Sequence, residues 1–486
     1  MKKFPVIFTS DASLSEDVAK EVKAGKARKI GPRLYTTNMK DEPARIVRQN
    51  WWQILSLLVP HAVVSHRTAL EGAISPMGRA YVTGAYRRII TLPGLEIVQQ
   101  KGPGPVEGDL PMLELHISSQ ARACLENLSP SKARKGEAKT LPTEQLERKL
   151  ADLLRTHGEG GLNALRDRAR AIARALELGT ECHQLDQLIG TLMGTRSADL
   201  GEPLAKAYAR QEPYDPSAIE RVDALRAALL AQGTPDRSNR AESNEAFYNA
   251  AFYDAYFSNY IEGTRFEVEE AYRIIETGRV PVERPEDGHD ILGTYRVVGS
   301  LEEMTTIPAN FADFQTLLKR RHAMILEGRS DKRPGQFKEL PNFAGQTRFV
   351  DPDLLSGTLK LGYEMCRSLE HPFARGLVMM FLIAEVHPFD DGNGRIARAM
   401  MNAELIAGDQ VRIFIPSVYR NEYVASLKRL THHSQPDAFI RVMSYAQDFV
   451  SRIDFSVRES ANDMLRGCNA FADPADTVKL RLPPAE

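Results

Sequence analysis

An apolar run that ends abruptly at a proline constrains the fold of this chain more than any other feature of its sequence. Residues 377–386 are apolar almost throughout, and Pro372 precedes them at a position suited to the first turn of a helix. Pro388 ends the run and biases His387 away from helical geometry. Good helix formers return from Gly394 onward. The sequence therefore predicts a buried helix, a short loop and a second helix.

The loop between these helices carries residues suited to holding a polyphosphate. Gly392 and Gly394 permit positive φ angles and leave backbone N–H groups uncovered, and the start of a helix favours anions. Asp391 can give an oxygen ligand to Mg²⁺. His387 is the loop residue suited to accepting a proton near neutral pH. We therefore expect a phosphate site with a metal ligand and a general base.

Two arginines, Arg395 and Arg398, are spaced i, i+3 in the first turn of the second helix and share one face. Two cations there oppose the helix dipole, so they predict an anionic partner. Each feature alone is usually structural, but one unbroken run that specifies all of them argues against that interpretation. Residues 371–373 repeat the opening His-Pro-Phe without the rest, and we assign them no chemistry.

Residues 387–398 match the pattern HPFx[D/E]GNGRxxR, and the chain thereby resembles Fic (Fido) domain proteins. The resemblance implies a helical core and Mg²⁺-dependent transfer of AMP from ATP to a Ser, Thr or Tyr hydroxyl of a target protein. Kinase-like members replace the second loop glycine with a bulkier basic residue, so Gly394 favours AMP transfer. The implied roles are His387 as the base, Asp391 as the Mg²⁺ ligand, Gly392, Asn393 and Gly394 as the cradle of the α- and β-phosphates, and Arg395 and Arg398 on the β- and γ-phosphates.

Residues 258–263 resemble the inhibitory motif of the same family, [S/T]xxxE[G/N], with Ser258 and Glu262 at its defining positions. By this resemblance Glu262 pairs with Arg398 and blocks productive placement of the γ-phosphate. A carboxylate–arginine pair is physically strong when it is bidentate. The aromatic residues just upstream have helical spacing and indicate core packing. We expect an inhibitory helix over residues 243–263.

Two further segments have weaker signals. Residues 334–352 combine turn residues with short β-prone runs, which predicts a hairpin. In the family a flap at this place aligns the target by strand addition, and an ordinary surface hairpin is the open alternative. Tyr423 lies in a helical stretch that in the family helps to form the adenine pocket, with simple packing as the alternative.

Composition limits the classes of partner. The 486 residues suffice for several domains, and the net charge of −1 gives no global field that favours nucleic acid or membrane. The 4 cysteines are scattered and predict reduced thiols. No apolar stretch has membrane-spanning length, and the N-terminal apolar run is too short for a signal peptide. These features predict a cytoplasmic protein without a membrane partner.

The N-terminal region has its own signals. A short helix, a basic segment and a hairpin-like stretch suggest a winged helix at residues 11–40, which makes DNA a candidate partner. The N-terminal region, including residues 65–70, resembles antitoxin-like regulators of the AbiEi type, and a plain α+β accessory domain is the open alternative. The predicted organisation is an α+β accessory region at 1–128, a linker at 129–142, a helical connector at 143–240, a Fic domain at 241–460 and a C-terminal tail at 461–486.

The predicted fold class is mainly α: a helical Fic core with a β-hairpin flap, preceded by a smaller α+β region. The predicted function is an autoinhibited protein adenylyltransferase that uses ATP and Mg²⁺. Two alternatives remain open at this point. The same site could remove AMP from a modified target, or the chain could be a DNA-binding regulator with the Fic core as its sensor.

Overall fold

A computed structural model of the chain describes residues 4–11, 13–133, 136–238 and 243–484. Small parts of the predicted winged helix, linker, connector, Fic domain and tail therefore lie outside the described residues. The chain divides into two compact units, residues 1–211 and 212–486. This division falls inside the segment 143–240, which the sequence predicts as one helical connector.

The first unit begins with an α+β region and ends in helices. Its elements are β1 (Ile7–Thr9), α1 (Ser15–Lys23), β2 (Arg28–Gly31), β3 (Leu34–Thr36), α2 (Pro43–Gln49), α3 (Trp51–Leu58), β4 (Val63–Val64), α4 (His66–Glu71), β5 (Arg79–Gly84), β6 (Arg88–Leu92), β7 (Leu95–Lys101), β8 (Leu110–Met112), β9 (Leu115–Ile117), α5 (Gln120–Leu128), α6 (Thr143–Leu176), α7 (Gly179–Leu192) and α8 (Pro203–Ala209).

The strands of the first unit form two sheets among the described residues. A three-stranded antiparallel sheet has the order β1-β3-β2, with α1 preceding the β2–β3 hairpin. A six-stranded sheet has the order β6-β7-β5-β4-β9-β8, in which β5 is parallel to β7 and β4 to β9. Alternation along β7 buries Leu95 and Ile97 against α2 and α3. Gly158, with a φ of 64°, interrupts α6.

The second unit is helical apart from one hairpin. Its elements are α9 (Pro216–Gln232), α10 (Asn244–Ile261), α11 (Val268–Thr277), α12 (Pro285–Val298), α13 (Leu301–Thr305), α14 (Phe311–Ile325), β10 (Phe343–Ala344), β11 (Thr347–Arg348), α15 (Leu355–Arg367), α16 (Pro372–Val386), α17 (Asn393–Ala407), α18 (Arg420–His433), α19 (Asp437–Ser451) and α20 (Arg458–Gly467).

The predicted pair of helices around the loop is present as α16 and α17. Pro372 occupies the first turn of α16, and the His371 side chain accepts a hydrogen bond from the Phe373 amide at the N-terminus. Nearly every residue of both helices is buried, and the two pack against each other. Gly408 follows the end of α17, as expected. The two helices thus fix both ends of the loop in a rigid core.

The predicted fold class is confirmed: a helical unit with a small hairpin follows an α+β region. The strands β10 and β11 pair antiparallel within the segment 334–352, where the flap was expected. Among the residues that the structure describes, no helix combines the length and apolarity needed to cross a membrane.

Candidate active site

The loop at 387–392 is shaped by two residues with left-handed backbone conformations. His387 ends α16 with a φ of 51°, and Gly392 precedes α17 with a φ of 72°. A histidine in this region is uncommon, and such strain is typical of functional sites. Gly394 departs from the expectation of positive φ, because it already lies within α17. Its role therefore depends on its missing side chain.

Asn393 closes the loop. Its side-chain Oδ1 accepts a hydrogen bond from the Phe389 amide at 2.9 Å, and its Nδ2 donates to the Phe389 carbonyl at 2.8 Å. The side chain is therefore committed to shaping the loop. Its backbone amide remains able to bind an anion, because this amide and the next ones of α17 have no acceptor within the helix. These amides, at the positive end of the helix dipole, can accept an anion.

One imidazole nitrogen of His387 is hydrogen-bonded to the backbone, and the other is the candidate proton acceptor. Nδ1 lies 3.1 Å from the carbonyl oxygen of Ala384, which can only accept, so Nδ1 carries the proton. Nε2 of the neutral ring is then the basic nitrogen. Burial of the ring, with a smaller contribution from the nearby Lys338 ammonium, lowers the pKa of His387 to about 4. The imidazole is therefore neutral at pH 7, as a proton acceptor must be.

The hairpin segment is attached to the loop through side chains that the sequence did not single out. Asn342 donates to the carbonyls of His387 and Phe389, at 3.1 and 2.9 Å. Lys338 donates to the Val386 carbonyl at 3.0 Å, and burial lowers the pKa of this lysine to about 8. The ring of Phe349 stacks on the His387 ring with centroids 3.7 Å apart. The hairpin thus fixes the orientation of the histidine.

A second buried histidine, His322, supports the other end of the loop. Its Nδ1 accepts from the Gly335 amide at 2.9 Å, so its Nε2 carries the proton and donates to the Asp391 carbonyl at 3.0 Å. Burial lowers the pKa of His322 to about 4. The ring also stacks on Phe389, with centroids 3.6 Å apart. Its part is structural: it holds the loop backbone at Asp391.

Arg398 is held by the predicted inhibitory helix, which is the C-terminal part of α10. Its Nε donates to the Ser258 hydroxyl and its Nη2 to the Ser258 carbonyl, both at 2.9 Å. Nη2 also donates to Oε1 of Glu262 at 2.6 Å. The Tyr423 hydroxyl is hydrogen-bonded to the same guanidinium. The structure thus brings Ser258, Glu262 and Tyr423 together at Arg398, while an adenine-binding role for Tyr423 stays a prediction.

The Glu262 carboxylate also lies against Gly394. A Cβ placed on Gly394 would meet Oε1 of Glu262 at 2.2 Å, a distance that no real contact adopts. The absent side chain at position 394 therefore makes room for this carboxylate at the start of α17. A carboxylate at this place and a phosphate are both anionic and would be attracted by the same helix N-terminus.

Further polar contacts hold α10 on α17. Nδ2 of Asn402, one turn beyond Arg398, donates to Asp254 at 2.8 Å. Arg412 donates to the same Asp254 oxygen at 3.3 Å, and all three side chains are buried. Burial raises the pKa of Asp254 to about 6. Asp254 and Ser258 share one face of α10 at i, i+4 spacing, and they oppose Asn402 and Arg398. The contacts of Ser258 and Glu262 with Arg398 therefore continue a longer polar interface.

Arg395 is paired with a buried carboxylate from α12. Its Nη1 lies 2.5 Å from Oδ2 of Asp290, and both side chains are almost fully buried. The same Oδ2 accepts from Nη1 of Arg329 at 3.1 Å. Each arginine also lies 3.9 Å from a carboxylate oxygen of Asp391. Neither Asp290 nor Arg329 has a sequence signal, because both lie far from the loop in the chain.

Asp391 is the residue that could hold a metal. Its side chain is 42% exposed, and its Oδ1 accepts from the Gly392 amide at 2.7 Å. No group of three or more His, Cys, Asp and Glu side chains with metal-binding geometry occurs in the described part of the chain. A single exposed carboxylate beside an anion cradle suits Mg²⁺, which takes its other ligands from phosphates and water.

The sequence was compared with those of known proteins. Residues 313–405 match the model of the Fic/DOC family. The chain is 34% identical over 101 residues to a Fido domain-containing protein of Dictyostelium discoideum, an alignment that covers 19% of this chain and 69% of that protein. It is 22% identical over 230 residues to protein adenylyltransferase fic-1 of Caenorhabditis elegans, which covers 46% of this chain and 45% of that protein. The chain thus spans under half the length of this curated adenylyltransferase.

Among solved structures, Fic-1 (residues 134–508) from C. elegans is similar, with a TM-score of 0.36 and 19% identity. That alignment covers 67% of this chain and 90% of the other.

Proposed function

Because the chain belongs to the Fic/DOC family, we propose that it transfers AMP from ATP to a hydroxyl side chain of a target protein, and that Glu262 inhibits this transfer. The observation that carries the proposal is the juxtaposition of a neutral His387 with the uncovered amides at the start of α17. A base and a phosphate cradle in one short loop are what attack on a nucleotide requires.

The proposed reaction is an in-line displacement at the α-phosphorus. The oxygen of a Ser, Thr or Tyr hydroxyl forms a bond to that phosphorus, and the bond to the oxygen bridging the β-phosphate breaks. Pyrophosphate leaves with the bonding electron pair. The hydroxyl proton passes to Nε2 of His387, whose Nδ1–H stays on the Ala384 carbonyl. The Phe349 ring fixes the plane of the imidazole during this transfer.

The remaining loop residues hold the polyphosphate. The amides of Asn393 and Gly394 would cradle the α- and β-phosphates, next to Gly392, whose own amide donates to Asp391. Arg395 and Arg398 would contact the β- and γ-phosphates. Asp391 would hold Mg²⁺, which when bound neutralises charge that develops on the phosphate oxygens. Fixed donors in a water-poor site provide this stabilisation without reorganisation during the reaction.

Inhibition follows from the contacts of Glu262. Its carboxylate takes a guanidinium nitrogen of Arg398 and lies against Gly394. Both groups are needed by the nucleotide, so the carboxylate and the terminal phosphate compete for one place. Removal of the carboxylate frees the arginine while Ser258 still holds it in position.

The test is mass spectrometry of the full-length Glu262→Gly protein after incubation with ATP and Mg²⁺. We expect AMP adducts on its own Ser, Thr or Tyr residues, more than on the wild type. The adducts should disappear in Glu262→Gly combined with His387→Ala. Glu283→Gly, which changes an exposed glutamate in a turn, is the matched control and should behave as the wild type. If the Glu262→Gly protein carries no adduct, on itself or on lysate proteins, the proposal is wrong.

The position of Glu262 also supports removal of AMP as an alternative, because a carboxylate beside the α-phosphate site could align a water molecule. An AMP-modified protein substrate distinguishes the two directions. Release of free AMP by the wild type, lost in Glu262→Gly, would favour removal.

A DNA-binding role for the first unit is a second candidate. It is supported by exposed basic side chains on α1 and the β2–β3 hairpin, at Lys20, Lys23, Lys26, Lys29 and Arg33. Such residues neutralise phosphates, so binding should weaken steeply with salt. A gel shift with duplex DNA at increasing salt, against a Lys26→Glu, Lys29→Glu variant, tests it. A shift that is independent of these lysines would contradict the role.

A further inference from the structure

The carboxylate of Asp290 holds two cations that also face the proposed metal ligand. Its Oδ2 lies 2.5 Å from Nη1 of Arg395 and 3.1 Å from Nη1 of Arg329. The other terminal nitrogen of each arginine lies 3.9 Å from Asp391, Nη2 of Arg395 from Oδ1 and Nη2 of Arg329 from Oδ2. At 3.9 Å no hydrogen bond forms. Nη2 of Arg329 also lies 3.3 Å from Oε2 of Glu286, whose side chain is exposed. Asp290 is therefore the buried carboxylate that both arginines share, and it holds them just out of hydrogen-bonding range of Asp391.

We propose that Asp290 is a positioning residue that keeps Arg395 and Arg329 off the Asp391 carboxylate, so that Asp391 stays open to the divalent cation of a nucleotide complex. This inference rests on the proposed function for the identity of the ligand. It adds two residues, Asp290 and Arg329, that neither the loop nor the inhibitory motif contains.

Burial explains why the two arginines pair with Asp290 and not with Asp391. The Asp290 side chain is 5% exposed and that of Asp391 is 42% exposed, so water screens Asp391 much more strongly. Oδ1 of Asp290 has no hydrogen-bond partner among the described residues. Oδ2 alone therefore contacts the two guanidinium groups. Asp391 instead uses Oδ1 on the Gly392 amide.

Loss of the Asp290 charge should therefore redirect both arginines. Each needs to move its Nη2 by about 1 Å to reach hydrogen-bonding range of Asp391. A carboxylate paired with two guanidinium groups is a poor Mg²⁺ ligand, because the metal must displace them. The polyphosphate would still be attracted to the site, since removing an anion makes it more positive. We therefore expect the protein to lose the increase in nucleotide affinity that Mg²⁺ provides.

The test is isothermal titration of ATP into full-length protein, with Mg²⁺ and with EDTA, in a Glu262→Gly, His387→Ala background that cannot turn ATP over. The measured quantity is the ratio of the two dissociation constants. We expect Mg²⁺ to tighten ATP binding in the background protein, and Asp290→Asn to reduce this gain by about tenfold, the effect of one charge-assisted contact. The ratio within one protein cancels much of the direct charge effect of the substitution.

Two controls separate positioning from a structural role. Glu404→Gln removes another buried carboxylate, which lies on α17 near the end of the helix away from the loop. Glu404 pairs with Arg367 of α15 and Arg375 of α16, and its substitution should leave the ratio of dissociation constants unchanged. Asp290→Asn combined with Arg329→Gln removes one of the two competing cations and should recover part of the Mg²⁺ gain. A destabilised fold would not be rescued by a second loss of charge.

The outcomes are distinct. An unchanged Mg²⁺ ratio in folded Asp290→Asn protein, or a ratio that Arg329→Gln does not recover, overturns the inference. If Asp290→Asn does not fold, Asp290→Glu replaces it, and its longer side chain should shift the ratio in the same direction by a smaller factor. The inference is also wrong if Mg²⁺ does not tighten ATP binding in the Glu262→Gly, His387→Ala background protein. ATP binding with the expected ratios, but without AMP transfer by Glu262→Gly protein, would leave the inference standing and remove the proposed function.

Discussion

Oε1 of Glu262 lies 2.6 Å from Nη2 of Arg398 and against the bare Cα of Gly394. One carboxylate therefore engages both the cation and the helix start that the proposed function assigns to phosphate. The Ser258 hydroxyl and carbonyl hold the same guanidinium from the previous turn of α10. Arg398 is thus positioned by a serine and occupied by a glutamate, and these two effects can be separated by substitution.

Ser258→Ala should give partial activation. The substitution removes the hydroxyl acceptor of Arg398 Nε and leaves both the Ser258 carbonyl and Glu262 in place. One hydrogen bond to a charged group contributes about 1.5–3 kcal/mol, so the hold of α10 on Arg398 weakens without being lost. We expect an initial rate of AMP incorporation between those of wild type and Glu262→Gly, measured with labelled ATP. Ser456→Ala, at an exposed site remote from the loop, should have no effect. A rate equal to that of Glu262→Gly would show that Glu262 inhibits only while the Ser258 hydroxyl holds Arg398.

Gly394→Ala should destabilise the wild type mainly through Glu262, with a smaller contribution from Nη1 of Arg398, which a Cβ would meet at 3.1 Å. The backbone of Gly394 is helical, so alanine adopts it without strain, but its Cβ would meet Oε1 of Glu262 at 2.2 Å. In the Glu262→Gly background that clash is absent. A double-mutant cycle measured by urea unfolding should therefore give a coupling of about 1 kcal/mol or more between the two sites. Additive effects would place the Glu262 carboxylate away from Gly394 in solution.

Much of this arrangement could be predicted from local sequence, and the reason is physical. The apolar run of α16, its proline start and the glycines of the loop are local signals, and they gave the helix–loop–helix correctly. The loop residues share one short segment, so their juxtaposition needs no knowledge of the fold. Glu262 was assigned by family resemblance alone, and its contact with Arg398 crosses more than a hundred residues of chain.

What the sequence did not reveal are groups that reach the loop only through tertiary packing. Asp290 and Arg329 lie in segments with no motif. Lys338 lies in the predicted hairpin segment, but nothing in the sequence marks its side chain. The roles of Gly394 and Asn393 were also only partly visible. Positive φ was expected at Gly394, where the absence of Cβ matters, and Asn393 uses its amide side chain on the Phe389 backbone.

Asn393→Ala should destabilise the second unit. The substitution leaves the buried Phe389 amide without its acceptor, while the Phe389 carbonyl keeps its bond from Asn342. One orphaned buried donor costs about 1–3 kcal/mol in free energy of unfolding, measurable by urea denaturation. Asn421→Ala, which removes a single exposed hydrogen bond to Pro474, should cost less than about 0.5 kcal/mol. Equal effects of the two substitutions would mean that the Asn393 side chain does not shape the loop.

The pH dependence of AMP transfer should report the environment of His387. Burial lowers the pKa of this histidine from 6.5 to about 4, and the Lys338 ammonium contributes in the same direction. The base is therefore already deprotonated well below pH 6.5 in the free enzyme, so kcat/KM of the Glu262→Gly form should stay flat from pH 8 down to about 5.5 and fall only below that. Lys338→Gln removes the neighbouring positive charge, which raises the pKa of His387. The acid limb, the fall of kcat/KM at low pH, should therefore move to higher pH, toward 6.5.

Lys360→Gln is the control for that shift, because Lys360 pairs with Glu212 at the surface. It should leave the midpoint of the acid limb unchanged. The midpoint is the quantity to compare, since Lys338 also binds the Val386 carbonyl and its loss lowers the rate at every pH. An acid limb near 6.5 in the Glu262→Gly enzyme with Lys338 intact would mean that His387 is exposed to water in the free enzyme. A limb that does not move in Lys338→Gln would show that burial alone sets the pKa of the base.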